Sequence, residues 1–454
     1  MFDLLLRGGT VINADGPLRA DVGITAGKVA ALVAPGESVE ARSEIPVEGM
    51  HLLPGLVDAH VHLREPGLTH KEDFASGTLA AAAGGVTTLL DMPTDEPWTV
   101  RPADLKAKMQ LAEGRIHTDV GFQVALRRDL VGVAGLRRLD PVSFELFTAD
   151  VPEAFLHATM DDVVQALRVL APLDILIGIS PGDESILSGE TVRGLDKPKD
   201  VAAFRASRPP LTEAAGISRA LLAAAQTGAR IHVRQTSSAL GIRTWQRLRD
   251  MADASIETTP QCLLFAGEAY DRLGAGVKAS PPLREKEDVA LMREALRSGS
   301  VDIVATDHAP HSPAEKAAAY PAFADIPGGM PGVQTLLMTM LHLVDSGGLR
   351  LQDLVRVCSA NPAARFGLGG RKGAIRPSHD ADILVLDAGR TTRICHADQL
   401  SKAGYTPFDG LEVPWALRTV LLRGKVIFAE GTPAMAASGC IVTASSPFQS
   451  MSAR

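Results

Sequence analysis

The sequence predicts an α/β protein built on a (β/α)8 barrel, with a small β domain assembled from both ends of the chain. From about Leu52 onward, apolar runs of strand length alternate with helical stretches, which gives about eight β-then-α units over roughly 280 residues. Before and after this region, short strands are separated by turns rich in Gly, Pro and Asn. A doubly wound parallel sheet is the competing fold.

The barrel region contains strand candidates that read as continuous apolar runs, as expected for parallel strands buried on both faces. Besides the strand that ends at His62, they are Val86–Met92, Asp119–Ala125, Val142–Thr148, Leu173–Ser180, Arg230–Thr236, Ser255–Cys262 and Val301–Thr306. The helical stretches between them include Glu72–Ala83, Asp161–Leu170, Ala214–Gln226 and Glu285–Arg297.

The domain boundaries follow from these patterns. We expect residues 1–50 and 371–436 to pair into one β-sandwich, residues 51–370 to form the barrel, and residues 437–454 to form a loose tail. The sandwich strands are predicted at Asp3–Arg7, Gly9–Asn13, Asp21–Thr25, Lys28–Leu32, Ala381–Asp387 and Arg418–Phe428.

Composition and charge argue against several functional classes. The net charge of −7 and the lack of a Lys/Arg-rich run argue against nucleic acid or an anionic membrane as partner. The start of the chain does not resemble a signal peptide, and no apolar stretch reaches the ~18 residues of a membrane span. The cysteines lack paired spacing, which predicts a reduced, cytoplasmic protein; they are Cys262, Cys358, Cys395 and Cys440.

Two histidines at the end of the first barrel strand form the clearest candidate site. His60 and His62 are two positions apart, so in a strand both side chains point to the same face. Two neutral imidazoles side by side are half of a zinc-type site. Surface histidines on an edge strand are the alternative, but the buried strand before them, with Asp58 and Arg64 nearby, favours a metal site.

Asp307 directly follows the last predicted barrel strand. Because reactive groups of such barrels lie at the carboxyl ends of strands, its carboxylate is expected at the same rim as the two histidines. An aspartate beside a metal-activated water can take up a proton and deliver it to a leaving nitrogen. Capping of a helix is the alternative role. His308 and His311 are candidates for substrate contacts or for hydrogen-bond donors behind the site.

Motifs along nearly the whole chain point to one family. They are Pro54-Gly-Leu-Val-Asp-Ala-His-Val-His-Leu-Arg-Glu-Pro-Gly67, Gly84-Gly-Val-Thr-Thr88, Asp91-Met-Pro93, Pro281-Pro-Leu-Arg284, Ala305-Thr-Asp-His-Ala-Pro-His311, Asn361-Pro-Ala-Ala364 and Ala381-Asp-Ile383. In this order they resemble the cyclic amidohydrolases of the amidohydrolase superfamily, the group of dihydroorotase, allantoinase and dihydropyrimidinase. Within the group, His62-Leu-Arg-Glu-Pro-Gly67 is most similar to dihydroorotase.

The resemblance implies a TIM-like barrel with a composite β-sandwich, and hydrolysis of a cyclic amide by metal-activated water. It also implies that Arg64 grips a substrate carboxylate, a task that suits the bidentate guanidinium; a structural ion pair is the alternative. Thr94, where dihydroorotases tend to have an asparagine, and His311 are further substrate-binding candidates. A homo-oligomer fits the family.

The chain departs from the family at several metal ligands. The family's site for two metals uses a bridging carboxylate on the fourth strand, and here Glu145 stands at that position, with Asp150 as a second choice. Ser180 and Gln235 stand where the fifth and sixth strands should end in histidine ligands.

Two further residues on the later strands bear on the predicted ligand set. His232 lies three residues before Gln235, an odd spacing that should turn it to the opposite side of its strand. Gln261 replaces a histidine on the seventh strand.

Ser180 and Gln235 replace the two ligands of one metal, whereas His60, His62, Glu145 and Asp307 would complete the other. The first hypothesis is therefore a cyclic amidohydrolase with one Zn²⁺ per chain and a small cyclic amide or imide as substrate. The second is a catalytically silent, dihydroorotase-like subunit that scaffolds a partner such as aspartate transcarbamoylase. A one-metal hydrolase or deaminase acting on an unrelated ring is the third.

Overall fold

Strands from both ends of the chain form the β-sandwich that the sequence predicts. In the computed structural model, which describes residues 1–194 and 198–444, the N-terminal strands are β1 (Leu4–Arg7), β2 (Thr10–Asn13), β3 (Gly16–Arg19), β4 (Asp21–Thr25), β5 (Lys28–Val33), β6 (Glu44–Pro46) and β7 (His51–Pro54). One sheet of the sandwich has the order β5-β4-β1-β6.

Eight parallel strands follow and form a nearly closed barrel, which confirms the predicted fold class. They are β8 (Leu56–Val61), β9 (Val86–Asp91), β10 (Asp119–Ala125), β11 (Ser143–Phe147), β12 (Ile177–Ser180), β13 (Ile231–Val233), β14 (Ala254–Thr258) and β15 (Ile303–Val304). Each strand pairs with the next, and a bridge between Val61 and His308 returns the end of the barrel to β8.

Helices connect these strands and cover the barrel. They are α1 (Phe74–Ala83), α2 (Pro102–Ala112), α3 (Val133–Arg137), α4 (Met160–Leu170), α5 (Glu184–Arg193), α6 (Val201–Ala206), α7 (Pro210–Thr227), α8 (Ala239–Leu248), α9 (Pro260–Leu264), α10 (Ala269–Leu273), α11 (Lys286–Arg297), α12 (Pro313–Ala317), α13 (Leu336–Asp345), α14 (Leu351–Val355) and α15 (Asn361–Arg365). In the described ranges, none of them is long and apolar enough to cross a membrane.

Local sequence explains where such helices begin and which face they bury. At α4, the Thr159 side chain accepts the Asp162 N–H, and the Asp162 carboxylate accepts the Thr159 N–H, which is a capping box. Val163, Leu167 and Leu170 of α4 are buried, at the spacing of one helix face. At α9, Pro260 starts a helix where the sequence predicts the end of a strand, because proline suits the first helical turn.

Of the seven C-terminal strands that the structure describes, four complete the second sheet of the sandwich, two pair with each other, and one pairs with a barrel strand. They are β16 (Ile383–Asp387), β17 (Thr392–Arg393), β18 (Glu412–Val413), β19 (Ala416–Leu422), β20 (Lys425–Ala429), β21 (Thr432–Pro433) and β22 (Ile441–Val442). The sheet order is β21-β20-β19-β16-β7-β2-β3, so β7 pairs with strands from both ends of the chain. The predicted barrel start at residue 51 therefore shifts, because His51–Pro54 belongs to the sandwich.

This second sheet lies between the first sheet and the barrel, and it buries both faces. Leu52 and Ile383 pack in the sandwich core. Their sequence neighbours Leu53 and Leu384 pack in the core that the barrel and its helices share. Strand alternation thus divides one run of apolar residues between two cores.

The predicted tail is partly ordered into the barrel. Strand β22 pairs in parallel with the first half of β10, and Val442 packs with Val57 and Phe366 in one apolar cluster. The prediction of a loose tail from residue 437 therefore does not fit residues 441–442. Residues 445–454, the rest of that prediction, lie outside the described residues.

Candidate metal centre

The carboxyl ends of β8 and β15 hold the predicted histidine and aspartate residues side by side. His60 lies in β8, His62 follows it, and Asp307 follows β15. Asp58 ties the two strands together, because its carboxylate accepts the Thr306 N–H at 3.0 Å and the Thr306 hydroxyl at 2.5 Å. This contact fixes the residue before Asp307 against the strand that carries the histidines.

Three donor atoms of these residues converge. Asp307 Oδ1 lies 3.3 Å from His60 Nε2 and 3.3 Å from His62 Nε2, and the three donors all lie within 4.8 Å of one another. Ligand atoms of a tetrahedral zinc ion, with bonds of about 2.0–2.1 Å, are separated by about 3.3 Å. Two imidazole nitrogens and one carboxylate oxygen therefore fit a single divalent ion in both chemistry and spacing.

The protonation states of His62 and Asp307 suit this role. Burial lowers the pKa of His62 to about 3, so its ring is neutral near pH 7. Burial also acts to lower the pKa of His60, but the negative charges of Asp307 and Glu257 outweigh it and raise that pKa. Burial acts to raise the pKa of Asp307, yet the two histidines lower it overall, so the carboxylate is ionised.

The other ring nitrogen of each histidine also has a partner. His60 Nδ1 lies 2.6 Å from Glu257 Oε1, and His62 Nδ1 lies 2.9 Å from Thr94 Oγ1. Both rings are thus held with Nε2 toward Asp307. Thr94, which is predicted as a substrate contact, lies with its hydroxyl against His62.

Glu145, the predicted fourth ligand, does not join this group. It is fully buried in β11, where its carboxylate accepts hydrogen bonds from Arg234 at 2.8 and 3.1 Å and from Ser143 Oγ at 2.6 Å. The bidentate guanidinium contact occupies both oxygens of this carboxylate. Gly178 on β12 provides the space, because a Cβ atom there would lie 2.1 Å from Glu145 Oε2.

The two positions predicted to have lost histidine ligands line a cavity of about 110 Å³ beside the donor group. Ser180 ends β12 in its wall, and Gln235 lies between the cavity and Asp307, donating to Asp307 Oδ2 at 2.5 Å. Asp150, the second choice for the strand-four ligand, also lines the cavity and pairs with Arg208 at 3.0 Å. Asp150 does not belong to the converging donor group.

His232 does not follow the predicted orientation. It faces the barrel interior, with Nε2 2.9 Å from Glu257 Oε2 and Nδ1 2.8 Å from Ser255 Oγ. Alternation holds only within a strand, and β13 ends at Val233. Gln235 lies beyond it with φ of +47°, so both side chains reach the interior network.

Sequence reasoning missed Glu257 and Arg234, although both are fully buried beside the donor group. The signal that could have found them is a charged residue inside a barrel strand that is otherwise apolar, because such a charge must be paired in the interior. Strand β14 carries Glu257, and Arg234 directly follows β13.

Arg64 and His311 lie together at the rim, where the Arg64 charge acts on His62. Arg64 Nη2 is 3.5 Å from His311 Nε2, and the buried Arg64 Nε has no hydrogen-bond partner among the described residues. Burial and the positive charges of Arg64 and Lys71 lower the pKa of His311 to about 3. The rim therefore holds a guanidinium, with one buried N–H that lacks a partner among the described residues, next to a neutral imidazole.

His308 and Gln261 support the backbone behind the site. His308 is fully buried with Nε2 3.4 Å from the Glu72 carboxylate, and its carbonyl accepts the His62 N–H at 2.8 Å. Gln261 Nε2 donates to the Thr306 carbonyl at 3.3 Å. The His308 side chain does not belong to the converging donor group.

A second acidic group is a structural junction. Asp119, Asp380 and Asp382 lie close enough to hold a cation, but Lys372 Nζ already lies 2.6 Å from Asp119, 3.1 Å from Asp380 and 2.6 Å from Asp382. The ammonium satisfies these carboxylates and connects β10 of the barrel to the segment before β16.

Comparison with known proteins identifies the family. Residues 49–239 match a family model described as dihydro-orotase-like, and residues 268–427 match that of the amidohydrolase family. The chain is 33% identical to a dihydroorotase of Methanothermobacter thermautotrophicus and 33% identical to an allantoinase of Rubrobacter xylanophilus, covering 95% of both chains in each case.

A solved structure agrees with these matches. The L-hydantoinase (dihydropyrimidinase) from Arthrobacter aurescens superimposes with a TM-score of 0.94 at 29% sequence identity, covering 98% of this chain and 100% of that chain. Equal identities to a dihydroorotase and an allantoinase do not select one ring as substrate. The chain belongs to the amidohydrolase family, as a cyclic amidohydrolase that acts on the C–N bond of a cyclic amide.

Proposed function

We propose that this chain hydrolyses a small cyclic amide or imide with one divalent ion, zinc, held by His60, His62 and Asp307. The observation that carries the proposal is the approach of Asp307 Oδ1 to both histidine Nε2 atoms at 3.3 Å. Because Glu145 is paired with Arg234, the ion would have three protein ligands. Three protein ligands and one open position are the arrangement of catalytic zinc sites.

A bound ion would act as a Lewis acid that polarises the amide carbonyl and lowers the pKa of water. Asp307 is ionised and lies among the ligands, so it can accept a proton from the attacking water and deliver it to the ring nitrogen as the C–N bond breaks. Gln235 holds Asp307 Oδ2, which leaves Oδ1 directed toward His60 and His62.

The rim residues support a ring that carries an anionic or strongly accepting substituent. The unused N–H of Arg64 requires an acceptor, and His311 beside it is neutral. A carboxylate on the ring would satisfy Arg64 and compensate its charge. The cavity lined by Ser180 and Gln235 lies on another side of Asp307 and offers space for the rest of the ring.

The scaffold alternative gains no support. The relatives named above are called dihydroorotase, allantoinase and hydantoinase, and His60, His62 and Asp307 have kept their mutual geometry. Association of copies of this chain into a homo-oligomer stays part of the proposal, and light scattering of the purified protein tests it.

The metal content of protein purified without chelator, and again after Zn²⁺ is supplied, is the first test. We expect one ion per chain and hydrolysis of at least one ring in a panel of dihydroorotate, allantoin, hydantoins and dihydropyrimidines. The stripped protein should be inactive and should recover with Zn²⁺. A chain that binds no ion after Zn²⁺ is supplied would refute the proposal.

A further inference from the structure

The barrel interior contains a fully buried guanidinium whose N–H groups are all used. Arg234 donates from Nε and Nη2 to Glu145, from Nη1 to Glu257 at 3.0 Å, and from Nη1 to the Ala59 carbonyl at 2.9 Å. Nη2 also donates to Gln123 Oε1. A buried charge with such complete pairing is costly to assemble, so its position next to the donor group requires an explanation.

Glu257 links this guanidinium to the donor group. Its Oε2 atom contacts Arg234 and His232, and its Oε1 atom lies 2.6 Å from His60 Nδ1. An ionised carboxylate only accepts hydrogen bonds, so Nδ1 of His60 must carry the proton. In the neutral ring, which is the form that binds a metal, the lone pair of His60 is then on Nε2, the atom that faces Asp307.

The network also restricts which carboxylates a metal could use. Glu257 and Glu145 are both paired with the guanidinium of Arg234, whereas Asp307 faces His60 and His62. A second ion that took Glu145 or Glu257 as a ligand would have to displace Arg234 from that carboxylate.

We propose that Glu257 and Arg234 are positioning residues of the metal centre: Glu257 fixes the Nε2 lone pair of His60, and Arg234 is a built-in cation that confines the centre to one ion. The inference rests on the proposed function, since it requires that His60 ligates a metal. Glu145, which the sequence analysis predicts as a metal ligand, would instead hold Arg234 in place.

Zn²⁺ titration of metal-free protein against a competing chelator tests this, with three variants. In Glu257→Gln the amide can donate to Nδ1 and move the proton to Nε2, so the Kd for Zn²⁺ should rise about 10–100-fold. In Arg234→Lys the ammonium keeps the charge but lacks the planar fork, so the Kd should also rise. Asp119→Asn breaks a buried ion pair away from the centre and should leave the Kd unchanged.

Two further readouts separate positioning from a general loss of stability. Wild type should saturate at one Co²⁺ or Zn²⁺ per chain even in excess metal, and the visible spectrum of the Co²⁺ form should change in Glu257→Gln but not in Asp119→Asn. A second tightly bound ion in wild type would overturn the proposal that Arg234 confines the centre to one ion.

A folded Glu257→Gln variant that binds Zn²⁺ with the wild-type Kd would overturn the proposal that Glu257 positions His60. If that variant does not fold, wild-type affinity in Arg234→Lys would do so. A wild type that binds no metal would instead remove the proposed function, and this inference with it.

Discussion

Replacement of Asp307 by asparagine tests the centre of the proposed chemistry. Gln235 donates to Asp307 Oδ2 at 2.5 Å, so the oxygen of an asparagine would turn toward Gln235 and its NH₂ group would face His60 and His62. An amide nitrogen there can neither ligate a metal nor accept a proton. Loss of general acid–base catalysis alone costs about 10²–10⁴-fold, and we expect at least ~10³-fold in kcat/KM, about 4 kcal/mol.

The assay measures kcat/KM on the ring selected by the substrate panel, together with the Zn²⁺ content of each variant. Asp302→Asn is the matched control, because Asp302 precedes the same strand and only accepts the Ile256 N–H, which asparagine can also do. Circular dichroism and thermal unfolding should be normal for both variants. Turnover of Asp307→Asn within a few-fold of wild type would remove Asp307 from the mechanism.

Three further predictions concern the rim, the barrel interior and the domain junction. Arg64→Met should lower kcat/KM by about 10²-fold for a ring with a carboxylate and spare an uncharged ring; equal losses on dihydroorotate and dihydrouracil would contradict this. Gly178→Ala should destabilise the fold by about 1–3 kcal/mol in chemical unfolding, because its Cβ meets Glu145; an unchanged midpoint would contradict the packing. Burial acts to raise the pKa of Asp380, but Lys372 and its basic neighbours outweigh burial and lower this pKa overall. The ionised Asp380 therefore stabilises the fold fully above the unfolded pKa of about 3.9, and this stabilisation is lost as the pH falls through the folded pKa. The unfolding free energy of Asp380→Asn should therefore be about 3 kcal/mol lower at pH 7 and approach that of wild type in acid; a gap independent of pH would refute the assignment.

Most of the fold could be predicted from the sequence, because it depends on the periodicity of apolar residues. Apolar runs of strand length alternating with helical segments located the barrel strands, and Val86–Asp91 and Asp119–Ala125 agree with the predictions to within a residue. Composition could not show that β22 would pair with β10, because the small and polar residues around Ile441 resemble a loose tail.

Only part of the site could be predicted from the sequence, because patterns within one strand do not show contacts between strands. His60 and His62 share a face through strand alternation, and Asp307 meets them because both strands end at one rim. The pairing of Glu145 with Arg234 joins side chains from different strands across the barrel interior, and no pattern within one strand encodes such a contact. Gln235 was predicted at the position of a replaced ligand, but its φ of +47° and its contact to Asp307 depend on the loop.

The position of β7 in the sandwich constrains how the chain is made. Strand β7 (His51–Pro54) leads directly into the strand that carries His60, yet its partner β16 begins only at Ile383. During synthesis this edge of β7 must wait until the ribosome has released nearly the whole barrel, and contacts of such sequence separation form slowly. A chain that stops before residue 383 would keep an open, apolar strand edge just before the first strand of the barrel, and such an edge favours aggregation.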